Sequence, residues 1–399
     1  MARPARVAVL SAVRTPTGKY GGALRNVPAV VLGGIAAGEA VRRAAIQPSD
    51  VPEGIFGQCL QAGAGQNPTR QVLRSIGVPD HAGAATVNMV CGSGLQAVRL
   101  GAAMIRSGDA PLLLVGGMES MSSAPFLVPA AVRWGMKPGA ATLDDEMMRD
   151  SLLDAYGEHE EMGQTGERIA QKLGLTRTEV DAFAARSHQR AARANADGTF
   201  DAEMVPIPAL LTLKNTVFER DEGPRGDSTV ESLARLRPSF RPNGLLTAGN
   251  SSQLSDGASA LVLASEAEAA RLGKIPIAYL HSSAVDGVHP SEVMEAPIPT
   301  VRKHLAAVGV APGDIDRVEH NEAFASASIA VQRAFAFPDD RFNVHGGAVA
   351  LGHPIGSSGA RIVVTLLHEL ARSRTRLGLA TLCMGGGNGL SLLVERDAS

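Results

Sequence analysis

The sequence predicts an α/β protein made of two similar halves, with an inserted loop domain interrupting the first half. Three observations carry this reading. Short aliphatic runs such as Leu112-Leu113-Leu114-Val115 and Ala260-Leu261-Val262-Leu263 alternate with Ala-rich helical stretches such as Leu95 to Ile105, the pattern of buried strands between helices. Two segments far apart in the chain repeat one order of elements, a reactive side chain at a glycine-rich helix start followed by a strand that ends in glycines. The stretch from Ser120 to Thr247 is rich in Met, Pro and charge and breaks that rhythm.

In chain order, Val7-Ala8-Val9-Leu10 opens as a strand. The first repeat runs from Val87-Asn88-Met89-Val90 into Cys91-Gly92-Ser93-Gly94, through a helix, to Leu112–Val115 and Gly116-Gly117. The insert contains a helix-like stretch from Thr178 to Ala194. A second repeat runs from Asn343 to Leu351 into His353-Pro354-Ile355-Gly356-Ser357-Ser358-Gly359, through a helix, to Leu377–Cys383 and Gly385-Gly386-Gly387. Duplication brings the two helix N-termini to a common face. The boundaries expected are 1–119 and 248–272 for the first half, 120–247 for the insert and 273–399 for the second half.

With 399 residues and 45% hydrophobic content the chain can bury a large core, in two or three units. A net charge of -2 gives no global pull toward nucleic acid or an anionic membrane surface. No run reaches the ~18 apolar residues of a membrane span, and Met1 to Arg6 leads into the first strand without a secretory pattern. The expected location is the cytoplasm. Cys59, Cys91 and Cys383 are too few and too far apart for a disulfide framework or a zinc site. HExxH, GxSxG and P-loop motifs are missing, which excludes those enzyme classes.

Four polar positions at strand or helix ends remain. Cys91 precedes a helix whose terminus favours a thiolate. Taken alone it is open between a nucleophile and an inert buried thiol, the reading given to Cys59. His353, set before a helix by Pro354, can take a nucleophile's proton or donate to a thioester oxygen. His281, His289, His304 and His320 are read as structural. Cys383 closes a strand ahead of three glycines, and Asn321 opens Asn321-Glu322-Ala323-Phe324 after another strand.

Together these segments resemble the thiolase family. The match extends from Arg14-Thr15-Pro16-Thr17-Gly18 through Gly65 to Gln71, Cys91 to Gly94, Gly249 to Gln253, Asn321 to Phe324, Gly346 to Gly359 and Cys383, essentially the whole chain. The resemblance implies a duplicated, layered αβαβα fold with an inserted coenzyme-A-binding loop domain, assembled as a homodimer or homotetramer. It implies reversible condensation and thiolysis of acyl-CoA and CoA with no other cofactor. Cys91 is then the acylated nucleophile, His353 its proton acceptor and Cys383 the acid/base at the α-carbon. Asn321 positions a water that, with His353, holds one oxyanion; the N–H groups of Cys91 and Gly385 hold the other. The same matching assigns coenzyme A contacts to Met162, Arg225, Ser232, Ala248, Ser252 and Leu254, with Met294 and Phe324 at the pantetheine and acyl end. Arg225 on its own also fits a solvated loop arginine.

Three departures bear on acyl-chain length. Glu160-Glu161 stand where short-chain members often carry an aromatic-His pair, in a segment one residue longer. Val293 to Pro297 is a residue short, and His345 replaces a frequent Asn. The expected activity is acetyl-CoA C-acetyltransferase. The alternatives are a longer-chain 3-ketoacyl-CoA thiolase of fatty-acid degradation and a non-catalytic acyl-CoA-binding protein, against which four intact reactive positions argue.

Overall fold

Strands buried along nearly their whole length need helices on both faces, and the arrangement of this chain follows from that requirement. The structure is a computed structural model and describes residues 6–136, 139–157 and 159–397. The first half comprises β1 (Val7–Arg14), α1 (Ala29–Arg43), β2 (Glu53–Gly57), α2 (Pro68–Ser75), β3 (Gly83–Val87), α3 (Ser93–Ser107) and β4 (Leu112–Ser120). The insert carries α4 (Met162–Lys172) and α5 (Arg177–Ala196), after which β5 (Ser255–Ser265) completes that half. The second half comprises β6 (Ala278–Gly287), α6 (Pro297–Val308), β7 (Arg317–His320), α7 (Ala325–Phe335), α8 (Ile355–Ser373), β8 (Leu377–Met384) and β9 (Asn388–Glu395).

These strands hydrogen-bond in the order β3-β2-β4-β5-β1-β6-β9-β8-β7. From β1 outward the pairing is antiparallel to β5, antiparallel to β4, then parallel to β2 and β3. From β6 outward it is antiparallel to β9, antiparallel to β8, then parallel to β7. The two halves therefore repeat one topology, as the matched motifs predicted. Their strands meet where Val7 to Val9 pairs with Ala278 to Leu280.

Side-chain alternation along the strands sorts the core into layers. Ala260, Val262 and Leu114 face a cluster with Leu32 and Ala36 of α1. Their neighbours Leu261, Leu263 and Val115 face a middle cluster with Val98 of α3 and Val363 of α8, which also takes Leu382 and Leu392 from the second half. Leu379 and Leu393 turn outward to Val301 of α6 and Val331 of α7. The result is the layered αβαβα arrangement, with α3 and α8 sandwiched between the two half-sheets.

The run from Asn343 toward Leu351 supplies no strand, and Phe342 makes an isolated bridge to β7 at Val318. The Asn343 side chain completes that edge. Its Oδ1 accepts from the N–H of His320 at 2.8 Å and its Nδ2 donates to the His320 carbonyl at 2.9 Å. A side-chain amide thus satisfies the edge that a backbone would have paired.

The insert is tied to both halves by buried polar groups. α5 opens on a capping box between Thr176 and Glu179, and its buried Asp181 accepts from Asn250 Nδ2 at 2.8 Å. Arg190 of the same helix donates to the carbonyls of Phe342 and Asn343 at 3.0 and 3.2 Å.

The glycines of both motifs explain how α3 and α8 meet. A Cβ on Gly94 would stand 2.8 Å from the backbone nitrogen of Ala360 and 2.9 Å from the Gly356 carbonyl. A Cβ on Gly359 would stand 2.5 Å from the backbone nitrogen of Leu95. The two helix starts are in backbone contact, and no side chain fits between them. Gly94→Ala is expected to cost ~1–3 kcal/mol as an overpacked site and to slow any reaction that needs residues from both helix starts. Thermal unfolding with an activity assay on the same preparation checks this; wild-type values for both would remove the close approach as a requirement.

Candidate active site

The crossing of α3 and α8 places Cys91 and His353 side by side. Cys91 precedes the N-cap of α3 by one residue, and the loop that presents it is held in an unusual conformation. Val90, a β-branched residue, has φ of 50°, a left-handed geometry that such side chains rarely adopt. Three hydrogen bonds maintain it. The Val90 N–H donates to Asn88 Oδ1 at 2.9 Å, the Ser93 hydroxyl donates to the Val90 carbonyl at 2.7 Å, and the Met89 N–H donates to Ser93 Oγ at 2.8 Å.

His353 is fixed from both sides. Its N–H donates to the Gln253 carbonyl at 2.9 Å, and Nδ1 lies 2.6 Å from Ser358 Oγ. The Ser358 hydroxyl donates to the Pro354 carbonyl at 2.9 Å, so its single proton is engaged and Nδ1 must be the donor to Ser358. Nε2 is left as an acceptor. It faces Cys91 Sγ at 3.2 Å and Asn321 Nδ2 at 3.4 Å. The buried Oδ1 of Asn321 has no hydrogen-bond partner among the described residues.

The electrostatics correct one expectation. A helix terminus was expected to favour a thiolate at Cys91. Burial instead pushes the Cys91 thiol up to about 12, the neighbouring Cys383 adds to this, and the N–H groups of Gly385 and of Cys91 itself pull only partly back. Burial, with Arg361, pushes His353 down to about 3. The resting pair is therefore a neutral thiol beside a neutral imidazole whose Nε2 is placed to take the thiol's proton.

Cys383 ends β8, with burial pushing its thiol up to about 12 against a small opposing pull from its own N–H. Its sulfur lies 3.8 Å from Met294 Sδ. Cys91, His353, Cys383 and Gly385 all line one cavity of about 60 Å³, walled also by Met162, Met294, Ser252 and Phe324. A larger cleft of about 440 Å³ shares Met162, Ser252, Phe324 and His353 with it and carries Arg225, Ala248 and Leu254. Every coenzyme A position read from the sequence lines one of these two spaces except Ser232. That residue sits in a short helix, where its hydroxyl donates to the Thr229 carbonyl at 2.9 Å.

The remaining polar candidates stand apart. Cys59 is buried, with its sulfur 3.7 Å from the Asp150 carbonyl and its thiol pushed well up by burial. His304 is held between Ser391 and Ser282 at 2.8 Å each, and His320 stacks on Phe342. His345 bonds Glu369 at 2.7 Å and lines a different groove.

Two residues with parts in the site were missed in the sequence. Ser358 orients His353, and its position in the first turn of the helix after His353 was the available signal. Glu119 at the end of β4 is fully buried and accepts the N–H groups of Cys59, Gly356 and Leu60 at 3.0, 2.9 and 3.3 Å. It locks the start of α8 to the first half, and nothing local in the sequence marks it.

Ser358→Ala removes the acceptor for Nδ1–H. Acylation of Cys91 is expected to slow by up to about tenfold, the scale of one hydrogen bond, with Ser358→Thr keeping most of the rate and KM unchanged. Rapid-quench measurement of the acyl-enzyme checks it. An alanine variant that acylates at the wild-type rate would refute the tautomer assignment.

The chain is similar to known proteins along nearly its whole length. Residues 7–267 match the model of the thiolase N-terminal domain and residues 274–396 that of the thiolase C-terminal domain. An acetyl-CoA acetyltransferase of Syntrophomonas wolfei is 47% identical over 98% of each chain. The crystal structure of the Bacillus anthracis acetyl-CoA acetyltransferase superposes with a TM-score of 0.94 at 39% identity, covering 99% of this chain and 100% of that one. Human mitochondrial 3-ketoacyl-CoA thiolase in complex with CoA superposes with a TM-score of 0.94 at 37% identity over 98% of each chain.

Proposed function

The chain belongs to the thiolase family, and from that premise we propose that it is an acetyl-CoA C-acetyltransferase working through acyl-Cys91. The observation that carries the reading is the meeting of Cys91, His353, Cys383 and the Gly385 N–H at one small cavity beside a large cleft. A thioester carbonyl is electrophilic and its α-hydrogen relatively acidic, so two thiols and an imidazole suffice without another cofactor.

In the thiolysis direction, Cys91 gives its proton to His353 and attacks the 3-keto carbon. The oxyanion is held by the N–H groups of Cys91 and Gly385. As the bond between the second and third carbons breaks, the leaving enolate takes a proton from Cys383, which is refilled from His353. The enolate oxygen is held by His353 and a water positioned by Asn321. Coenzyme A then gives its proton to His353 and attacks acyl-Cys91, and Cys91 leaves with that proton. Condensation is the reverse. A thiol pushed up to about 12 suits Cys383 as acid in this direction, because it holds its proton until a strong base develops beside it.

The coenzyme A cleft is supported by its charge as well as its shape. His188 beside it is pushed down to about 4 by burial and then by Arg225 and Lys19, a cationic setting that suits a phosphate. Self-association as a homodimer or homotetramer is supported by exposed apolar residues of the insert, among them Phe126, Val128, Trp134 and Leu143. No helix among the described residues is long and apolar enough to cross a membrane, and three free thiols suit a reducing cytoplasm. A longer-chain 3-ketoacyl-CoA thiolase of fatty-acid degradation is the second reading, favoured by the likeness to the human enzyme.

Cys383→Ala separates the two cysteines. The variant is expected to form acetyl-Cys91 and release coenzyme A, yet to lose condensation and the exchange of acyl-CoA α-hydrogens with deuterated solvent by ~10²–10⁴. Peptide mapping and mass spectrometry read both; exchange at the wild-type rate would end the assignment. Arg225→Ala is expected to raise KM for coenzyme A substrates with little change in kcat, and an unchanged KM would free Arg225 from the binding role.

A further inference from the structure

The acetyl-sized cavity at the cysteines has a larger neighbour. On the far side of a wall formed by Ser151, Met162 and Gly385 lies a second cavity of about 410 Å³, against about 60 Å³ at the cysteines. The coenzyme A cleft adjoins the catalytic cavity from the His353 side. The Gly385 N–H meets the Cys91 sulfur, so Gly385 marks the acyl side of the reacting carbon. The cavity past Gly385 is large enough to take a substituent beyond the acetyl carbons.

The chemistry of that space is unusual for an acyl chain. Its lining includes Glu146, Asp150 and Asp154, with Arg149 as its one cation among the described residues. Arg149 is already engaged with Asp144. Glu146 is 1% exposed, and its Oε1 accepts from the Ala62 N–H at 2.8 Å, while its buried Oε2 has no hydrogen-bond partner among the described residues. A buried carboxylate oxygen without a donor is a standing cost that a donor from outside relieves.

We propose that this cavity is an acyl-tail site selecting 3-ketoacyl-CoA substrates whose tail carries a hydrogen-bond donor, a hydroxyl or an ammonium, over plain or carboxylate-ended tails. The assignment rests on the thiolase reading above and adds the substrate class. Burial and the nearby Asp150 and Asp145 raise the Glu146 carboxyl above its ordinary range, and the three carboxyl groups gathered in the lining make an incoming anion the least suitable occupant.

The test is a thiolysis series with the full-length enzyme, using acetoacetyl-CoA, 3-ketooctanoyl-CoA and its ω-hydroxy, ω-amino and ω-carboxy forms. The ω-hydroxy or ω-amino substrate is expected to exceed plain 3-ketooctanoyl-CoA in kcat/KM by at least about tenfold, the scale of one satisfied buried group. The ω-carboxy form is expected to be the poorest. The two donor arms show whether a neutral or a cationic donor is taken. Glu146→Gln is expected to shrink the donor advantage severalfold while acetoacetyl-CoA cleavage stays as in wild type.

Equal rates for plain and donor-bearing tails, or a preference for the carboxylate, would overturn the proposal in the wild-type enzyme alone, whether or not the variant folds. A retained advantage in a folded Glu146→Gln protein would overturn the part given to Glu146. Failure to cleave acetoacetyl-CoA at all would instead strike the thiolase activity, so the two outcomes are distinct.

Discussion

Everything in this site depends on one contact, the backbone-to-backbone approach of the starts of α3 and α8. Cys91 and His353 are 262 residues apart, and they share a hydrogen bond because Gly94 and Gly359 leave no side chain between the helices that carry them. The duplicated fold makes the approach possible, since each half places a helix start on the face it shares with the other. Glu119 then pins Gly356 to the end of β4 and to the Cys59 loop. The geometry is carried by buried backbone groups and a carboxylate, which move less than surface side chains.

That contact also sets the proton chemistry. The packing that brings the groups together excludes water, and burial is the largest influence on Cys91, Cys383 and His353 alike. It holds both thiols protonated and the imidazole neutral. No charge stands in the cavity before substrate arrives, so no unpaired ion has to be stabilised there. Each proton must then move during the reaction, and the one group able to accept it is the imidazole nitrogen that faces Cys91. The strained Val90 loop serves the same arrangement by aiming the sulfur at that nitrogen, and its cost is spread over bonds from Asn88 and Ser93.

Much of this was legible in the sequence because it rests on local patterns. Buried strands, glycine-rich helix starts and the repeated order of elements identified both halves, and the reactive side chains at their ends followed. What was not legible depends on through-space partners. The standing thiolate was a fair inference from a helix terminus, yet desolvation outweighs two N–H groups when the sulfur lies between half-sheets. The Asn343 side chain that completes the edge of β7 is likewise a through-space partner. Glu119 and Glu146 are acidic residues in unremarkable surroundings along the chain; Glu119 is enclosed by the Cys59 loop and the start of α8, and Glu146 meets the Ala62 N–H, partners that are distant in sequence.

Two of the residues at which the chain departs from the family resemblance, Glu160 and Glu295, take part in attaching the insert. Arg168 of α4 donates to Glu160 and to the Ser291 carbonyl at 2.7 Å each, and Lys172 of the same helix bonds Glu295 at 2.8 Å. These bonds strap α4 to the turn over Pro290–Glu295. Met162 opens the one and Met294 lies in the other, and both face the catalytic cavity. Exposed ion pairs contribute little to stability, so their effect here is geometric: they set the separation of two methionine walls. His345 acts at a distance, joining the loop before His353 to α8 through Glu369. Glu160 and Glu295 therefore bear on the two methionine walls of the cavity and not on the Cys91–His353 pair, while His345 lies in a separate groove.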